Sequence, residues 1–312
     1  MRHSGIPDIA ERKDGFTFLG EPDFTPDECI RSAYHSYMGS AFISDTMPAV
    51  GGQFCLRTKG SSLLQYPDGT SAGAGAGELY FIAPTTMASE AHLRGPGQLY
   101  GLGLSELGWA EMTGLRVDEV KNTIIPAEQV FGAAATKFGD GLLEQCRAGT
   151  ISPAEIVSAM RGFLAERRTP IKDERKQLIL TARSWATDTM QPDVKELYDA
   201  LPLSPRQIQR LVQQYFGQAP NQVALRMRAA FTASVMSHGS VTPQVDAEIG
   251  ESYTDQSHLI RDVKKTTGRT PSKLGKRSQS LLSDILNPDG FLHDKAHTKK
   301  LPSRQKPGDM ED

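Results

Sequence analysis

The hydrophobic rhythm of this chain changes once, near Gly132, and that change limits the fold more than any other feature. From about Asp14 to Gly132 the apolar residues come in brief or alternating runs, "FCLRTKG", "SLLQYPDG", "ELYFIAP" and "QLYGLGL", closed by Gly, Pro or Asp-Gly. Such runs read as short strands between turns, and several in series predict a compact sandwich or barrel. Beyond Gly132 the period becomes three to four. "ISPAEIVSAMRGFLAERR" opens with Ser152, Pro153 and Glu155, the pattern of a capping box with proline at the first helical position. Ile156, Met160, Phe163 and Leu164 then form an apolar stripe. A second helix, "DERKQLILTARSWATD", follows the break at Thr169-Pro170, and Pro192 marks the start of a third.

The expected fold class is therefore α+β. A β-rich domain spans 14–132, a helical linker 133–187 and an all-α domain 188–275, before a polar tail, 276–312, expected to lack structure. A length of 312 residues allows about two domains. The glycines of "PDGTSAGAGAGE" invite a phosphate-cradling reading, but such a loop opens a helix, and here strand-like "ELYFIAP" follows. That segment is expected to be a flexible hairpin loop. No apolar run reaches the roughly 18 residues a membrane span needs, and "MRHSGIPDIAERKDG" lacks the apolar core of a secretion signal. Three scattered cysteines, Cys29, Cys55 and Cys146, argue against a disulfide framework and a metal cluster, so a cytoplasmic location is expected.

The formal charge is −2, yet residues 188–278 carry twelve Lys and Arg against nine Asp and Glu and are the only net-positive block. That block holds "DVKELYDALPLSPRQIQRLVQQYFG", residues 193–217. A short helix through Val194, Leu197 and Tyr198 ends near "ALPL". Ser204 then caps a new helix, with Pro205 first and Gln207 three residues after the cap. Ile208, Leu211, Val212 and Tyr215 make one apolar face, while Arg206, Gln209, Arg210 and Gln213 point the other way. Helix, short turn and helix, with donors in the first two turns of the second, is the arrangement of a helix-turn-helix. Arg matches the acceptors of guanine, Gln matches adenine, and further cations hold phosphates.

"YTDQSHLIRDVKKTTGRTP", residues 253–271, repeats the arrangement about 50 residues later. "VDAEIGESY" is its expected first helix and Thr254 its expected cap. Leu259 and Val263 face inward, and Gln256, Ser257, His258 and Arg261 lie outward or at the margin. "PNQVALRMRAAFTASVMS" reads as one helix joining the two units, which would reach successive major grooves roughly 34 Å apart.

These two stretches, "LSPRQIQRLVQQYFGQAP" (203–220) and "YTDQSHLIRDVKKTTGRTP", resemble the AraC/XylS family of transcription regulators over about 90 residues, 190–274. The resemblance implies base reading from Arg206, Gln209 and Arg210 in the first unit, and from Gln256, Ser257, His258 and Arg261 in the second. "GPGQLYGLGLSELGWAEMTGL" and "IIPAEQVFG" look, more loosely, like the cupin-like jelly-roll or barrel sensor domains some members carry. Two departures stand out. "ALPLS" and Ser252 occupy the turns where the family often has glycine, and Val263 and Thr267 stand where bulkier apolar groups are usual.

The expected protein is thus a sequence-specific, non-catalytic regulator whose partner is double-stranded DNA at an operator or promoter. The candidate DNA-contacting set is Ser204, Arg206, Gln209, Arg210, Gln256, Ser257, His258, Arg261, Lys264 and Lys265, with Lys273 a further phosphate contact. The resemblance extends to a small-molecule effector, a homodimer and, for an activator, RNA polymerase. No cofactor and no metal are expected. Two rivals remain: an interaction or sensor protein that kept the fold, and a cupin-type enzyme fused to a DNA-binding module. The second wants clustered histidines, and the β-rich part offers His35 and His92 without a His-x-His. His293 and His297 stand four apart in the tail, among Lys, Gly and Pro.

Overall fold

The computed structural model describes residues 16–21, 24–237 and 243–274, and among these an eight-stranded antiparallel sheet, formed mostly by the first half of the chain, is combined with eleven α-helices. The expected tail, 276–312, with His293 and His297, lies outside the described residues. The strands are β1 (Phe16–Gly20), β2 (Ile30–Met38), β3 (Phe42–Met47), β4 (Gln53–Gln65), β5 (Ser71–Ala74), β6 (Glu78–Ile82), β7 (Ser89–Leu104) and β8 (Ile124–Pro126). They run in the order β1-β2-β7-β4-β6-β8, with β3 paired to β7 and β5 paired to β4.

The sheet departs from the expected series of short strands. "FCLRTKG" and "SLLQ" belong to one 13-residue strand, β4, and "QLYGLGL" is the second half of the 16-residue β7. Register shifts between Arg57 and Lys59 and between Lys59 and Ser61 let β4 bend without ending, and Gly60 takes a positive φ of 75° there. The glycine-rich segment is likewise not a bare loop. It contains β5, whose Ala72 and Ala74 pair with Leu64 and Ser62 of β4. Small side chains gave this strand no apolar signature.

Three helices also interrupt the β-rich part: α1 (Glu106–Thr113), α2 (Val117–Val120) and α3 (Ala127–Phe131). α1 begins at Ser105, whose side chain accepts from the Gly108 amide, and buries Trp109. Next come α4 (Ala133–Ala148), α5 (Pro153–Arg167) and α6 (Asp173–Asp188), with the Ser152–Glu155 capping box formed as the residues demand.

Alternation along β4 sends Phe54 and Leu56 to one face and Cys55 to the other. On the first face Phe54 meets Phe81 of β6 at 4.8 Å between ring centroids, and Phe81 meets Trp109 edge-on at 5.8 Å. Phe163 of α5 closes the stack against Phe138 of α4 at 4.2 Å. The same apolar core continues through Leu178, Leu197 and Ile208, so the sheet and the later helices share one interior. Glu111 adds a polar tie: buried on α1, its carboxylate accepts from Arg168 Nε at 2.5 Å and from the Ile171 amide at 3.3 Å. This holds the α5–α6 connection against α1 and leaves the buried charge paired.

Candidate nucleic-acid interface

Two helical pairs follow α6. The first is α7 (Val194–Asp199) and α8 (Pro205–Phe216); the second is α10 (Pro243–Glu251) and α11 (Gln256–Thr267), and α9 (Pro220–Ser237) joins them. The joining helix has the bounds the sequence predicts.

α8 starts where Ser204 stops being helical, at φ −66° and ψ 149°. Its hydroxyl accepts from the Gln207 amide, and Gln207 Oε1 accepts from the Ser204 amide at 2.9 Å. This reciprocal cap satisfies two otherwise orphaned donors, and Pro205 needs no partner in the first turn. Ile208, Leu211, Val212 and Phe216 are buried. Tyr215, assigned to that stripe, is only half-buried, and Phe216 takes the deeper place. Arg206, Gln209, Arg210 and Gln213 are exposed. Gln209 Nε2 donates to Tyr198 Oη at 2.9 Å, so α7 already steers this side chain. Arg206 and Arg210 make no hydrogen bond or ion pair to another described residue.

α11 is capped by Asp255, not by Thr254 as the sequence reading has it. Asp255 Oδ1 accepts from the His258 amide at 2.9 Å, and Thr254 lies one residue before the cap. That bond holds the Asp255 carboxyl below its ordinary value of 3.8. The imidazole of His258 lies 2.9 Å from the same carboxylate, so this side chain is turned toward the cap rather than left free. Gln256, Ser257, Ile260, Arg261, Lys264 and Lys265 are exposed. Lys265 approaches Gln222 of α9 at 3.5 Å.

The buried side of α11 is thin: Val263 packs against Ala229 and Ala233 of α9 and against Leu274, with Leu259 and Met236 at the edge. Thr266 and Thr267 are buried where larger apolar groups would otherwise sit, and Thr267 Oγ1 donates back to the Val263 carbonyl at 2.8 Å. At the preceding turn Ser252 does the work of a cap, its hydroxyl donating to the Ile249 carbonyl at 2.9 Å. Among the described residues Asn122 is the one non-glycine with a positive φ, so Ser252 carries no left-handed strain.

Arg228 of α9 carries no signal in the sequence reading and is the hub of the second unit. It donates to the Ser252 carbonyl at 2.6 Å, pairs with Asp262 at 3.2 Å and lies 4.3 Å from the Tyr253 ring centre. Asp262 is thereby turned away from the exposed side of α11. With Asp255 engaged at the cap, neither acid of this stretch opposes the cations of that face.

The far ends of both exposed helices rest on the β-rich part, α8 on the end of α2 and α11 on β3 and connections between strands. Gly217, at φ 75°, ends α8, and Lys121 Nζ donates to its carbonyl at 3.0 Å. Gly268, at φ 77°, ends α11. The Ala49 amide donates to the Thr266 carbonyl at 2.8 Å, the Ala88 amide to the Lys265 carbonyl at 3.0 Å, and Arg269 pairs with the half-buried Asp45 of β3. Lys264 and Lys265 therefore sit at an anchored end, and the cap ends of α8 and α11 remain open.

A cavity of about 150 Å³ lies between the sheet and the helices, lined in part by Arg31, Thr85, Glu106, Arg183, Arg226 and Phe231. Arg226 donates to the Thr85 carbonyl at 3.0 Å, and burial pulls its guanidinium below its ordinary value. Arg183 pairs with Glu106 at 2.9 Å. His35 meets Glu21 at 2.7 Å and His92 meets Gln65 at 2.7 Å, in separate places. Among the described residues no group of three or more His, Cys, Asp and Glu side chains is placed to hold a metal ion, and no helix is long and apolar enough to cross a membrane.

No protein-family model matches the sequence, and no curated protein matches it. Solved structures do resemble it in arrangement. A variant of ToxT from Vibrio cholerae, in its apo form, is 11% identical with a TM-score of 0.44, covering 80% of this chain and 97% of that one. ToxT from Vibrio cholerae O395, bound to (E)-4-(8-methylnaphthalen-1-yl)but-3-enoic acid, is 12% identical with a TM-score of 0.42, covering 83% and 98%. The AraC-like transcriptional activator CuxR is 13% identical with a TM-score of 0.32, covering 70% and 86%. These likenesses are of arrangement alone and assign no residue a role.

Proposed function

We propose that this protein is a sequence-specific DNA-binding transcription regulator of the AraC type, reading two successive major-groove segments with α8 and α11. One observation carries the proposal. Two capped helices, joined by a single helix, each present unpaired arginine beside neutral donors in their first two turns, and the nearby acids are tied back. Arg206, Gln209 and Arg210 serve one segment, and Gln256, Ser257 and Arg261 the other. Ser204 acts through the cap. His258, engaged by Asp255, contributes less than the sequence reading gives it. Lys264, Lys265 and Lys273 hold phosphates.

The cavity between the sheet and the helices supports effector control. Its lining brings together three guanidinium groups and one carboxylate, a balance that favours a small organic anion. Such a ligand would touch the sheet and α9 together, and so would bias how the reading helices are carried.

A gel-shift titration against genomic DNA fragments at physiological salt tests the reading. Retention of a subset of fragments is expected. Binding that stays unselective, with no enriched site, contradicts it and favours an interaction module.

A further inference from the structure

Three large apolar side chains stand exposed among the described residues: Phe42, Leu63 and Ile260. Phe42 and Leu63 line one depression over β3, β7 and β4, and Phe42 stacks on His92 with ring centroids 6.0 Å apart. Ile260 stands alone, 38% exposed, on α11. It is the fifth residue of that helix, within the two turns that enter a groove. Gln256 and Ser257 lie one turn before it, Arg261 beside it and Lys264 one turn beyond, all exposed. The buried side of the helix is made by Val263, Thr266 and Thr267, and part of the Ile260 side chain is left outside it. A β-branched residue is also a poorer helix former than the Lys, Glu or Gln usual at an exposed site. What isoleucine supplies is a rigid pair of methyl-bearing branches, held by its restricted χ1, in the middle of a face built of donors and cations.

The major groove offers one apolar feature of matching size, the C5 methyl of thymine. We propose that Ile260 is a specificity-determining residue that selects thymine through this methyl, in the segment that Arg261 reads. The inference rests on the DNA-reading proposal and assigns α11 an apolar contact that hydrogen bonding alone does not supply. Arg261 fixes a neighbouring guanine, Ser257 and Gln256 take donors and acceptors, and Ile260 excludes water from one methyl group.

The test uses the full chain. Duplexes selected from a random-sequence library by the wild type are remade with deoxyuridine replacing one thymine at a time, which removes the methyl and keeps the base pair. The segment belonging to α11 is the half of the site whose preference Arg261→Ala flattens. Within it, one or two replacements are expected to weaken wild-type binding on the order of fourfold, the worth of about one buried methyl-sized group. Ile260→Ala is expected to bind the normal duplex that much more weakly and to be indifferent to deoxyuridine at those same positions. Ile260→Val should keep most of the sensitivity. An Ile260→Ala protein that still senses the same methyl overturns the inference, as does a selected site in which no thymine of that segment responds. If selection enriches no sequence at all, the DNA-reading proposal fails first and this inference fails with it. A selected site indifferent to its thymine methyls sinks only the inference.

Discussion

The proposed DNA-reading role gives the exposed side chains two chemical jobs, and substitutions should separate them. Arg210 carries no partner among the described residues, so its guanidinium is free for a bidentate base contact. Arg210→Ala is expected to cost roughly 1–3 kcal/mol of binding and to relax preference at one base pair. Lys265 sits at the anchored end of α11, beside Gln222, and its proposed role is to hold phosphate. Lys265→Ala should weaken all sequences alike and lower the salt dependence by about one counterion. Competition binding against a panel of single-base variants, run at two salt concentrations, distinguishes the outcomes. A site-selective loss at Lys265 would contradict its phosphate role. At this scale the sequence was informative: the faces of α8 and α11 follow from apolar spacing alone. It failed where a partner comes from another element. Nothing in the sequence of α9 marks Arg228 as the group that neutralises Asp262, and the choice of Asp255 over Thr254 as cap depends on where the backbone turns from extended to helical, at Asp255 itself.

At the scale of the helix, α11 depends on its two ends because its apolar side is small. The Asp255 carboxylate that caps it is held below its ordinary 3.8 mainly by the His258 amide. A depressed value in the folded state means that the cap contributes in full above the unfolded value and is lost as pH falls through the folded one. Helical amide protection at the start of α11 is therefore expected to fall below about pH 4. Asp255→Asn, which keeps an acceptor, should abolish that dependence. Protection that is unchanged by acid in the wild type would contradict the assignment. At the other end Gly268 is irreplaceable for two separate reasons. Its φ of 77° is costly for any residue with a Cβ, and an added Cβ would meet Thr46 Cγ2 of β3 at 1.9 Å. Gly268→Ala should cost more than the roughly 1–2 kcal/mol of the left-handed backbone alone, read as a lowered unfolding midpoint. A loss no larger than that would show that α11 does not press on β3.

At the scale of the molecule, the β-rich part, with its helix α2 and its connections, is the support on which α8 and α11 end. Lys121 reaches the end of α8, while Ala49, Ala88 and Asp45 hold the end of α11. The order of texture, strands and then helices, was legible because burial on one face imposes a period of two or of 3.6 on the residues themselves. The docking was not legible, because it uses backbone amides and a single ion pair between Asp45 and Arg269, residues more than two hundred positions apart. Nor was β5, whose alanines pair without a hydrophobic signal, or α1, which lies inside a stretch that reads as strand. Asp45→Ala removes the partner of a half-buried guanidinium and should cost about 2 kcal/mol of local stability. Hydrogen exchange is then expected to rise in residues 264–274 before it rises in the sheet. Uniform exchange across both regions would mean that the contact carries no local anchoring.

Genomic footprint sequencing with the purified full chain tests the central claim most directly. Two helices carried on one joining helix predict protected sites made of two short segments about one turn of DNA apart, roughly 10–10.5 base pairs between centres. Arg206→Ala should erase preference in one segment only, and Arg261→Ala in the other only. Protection without a recurrent sequence, or a single segment to whose preference both substitutions contribute, would contradict the account.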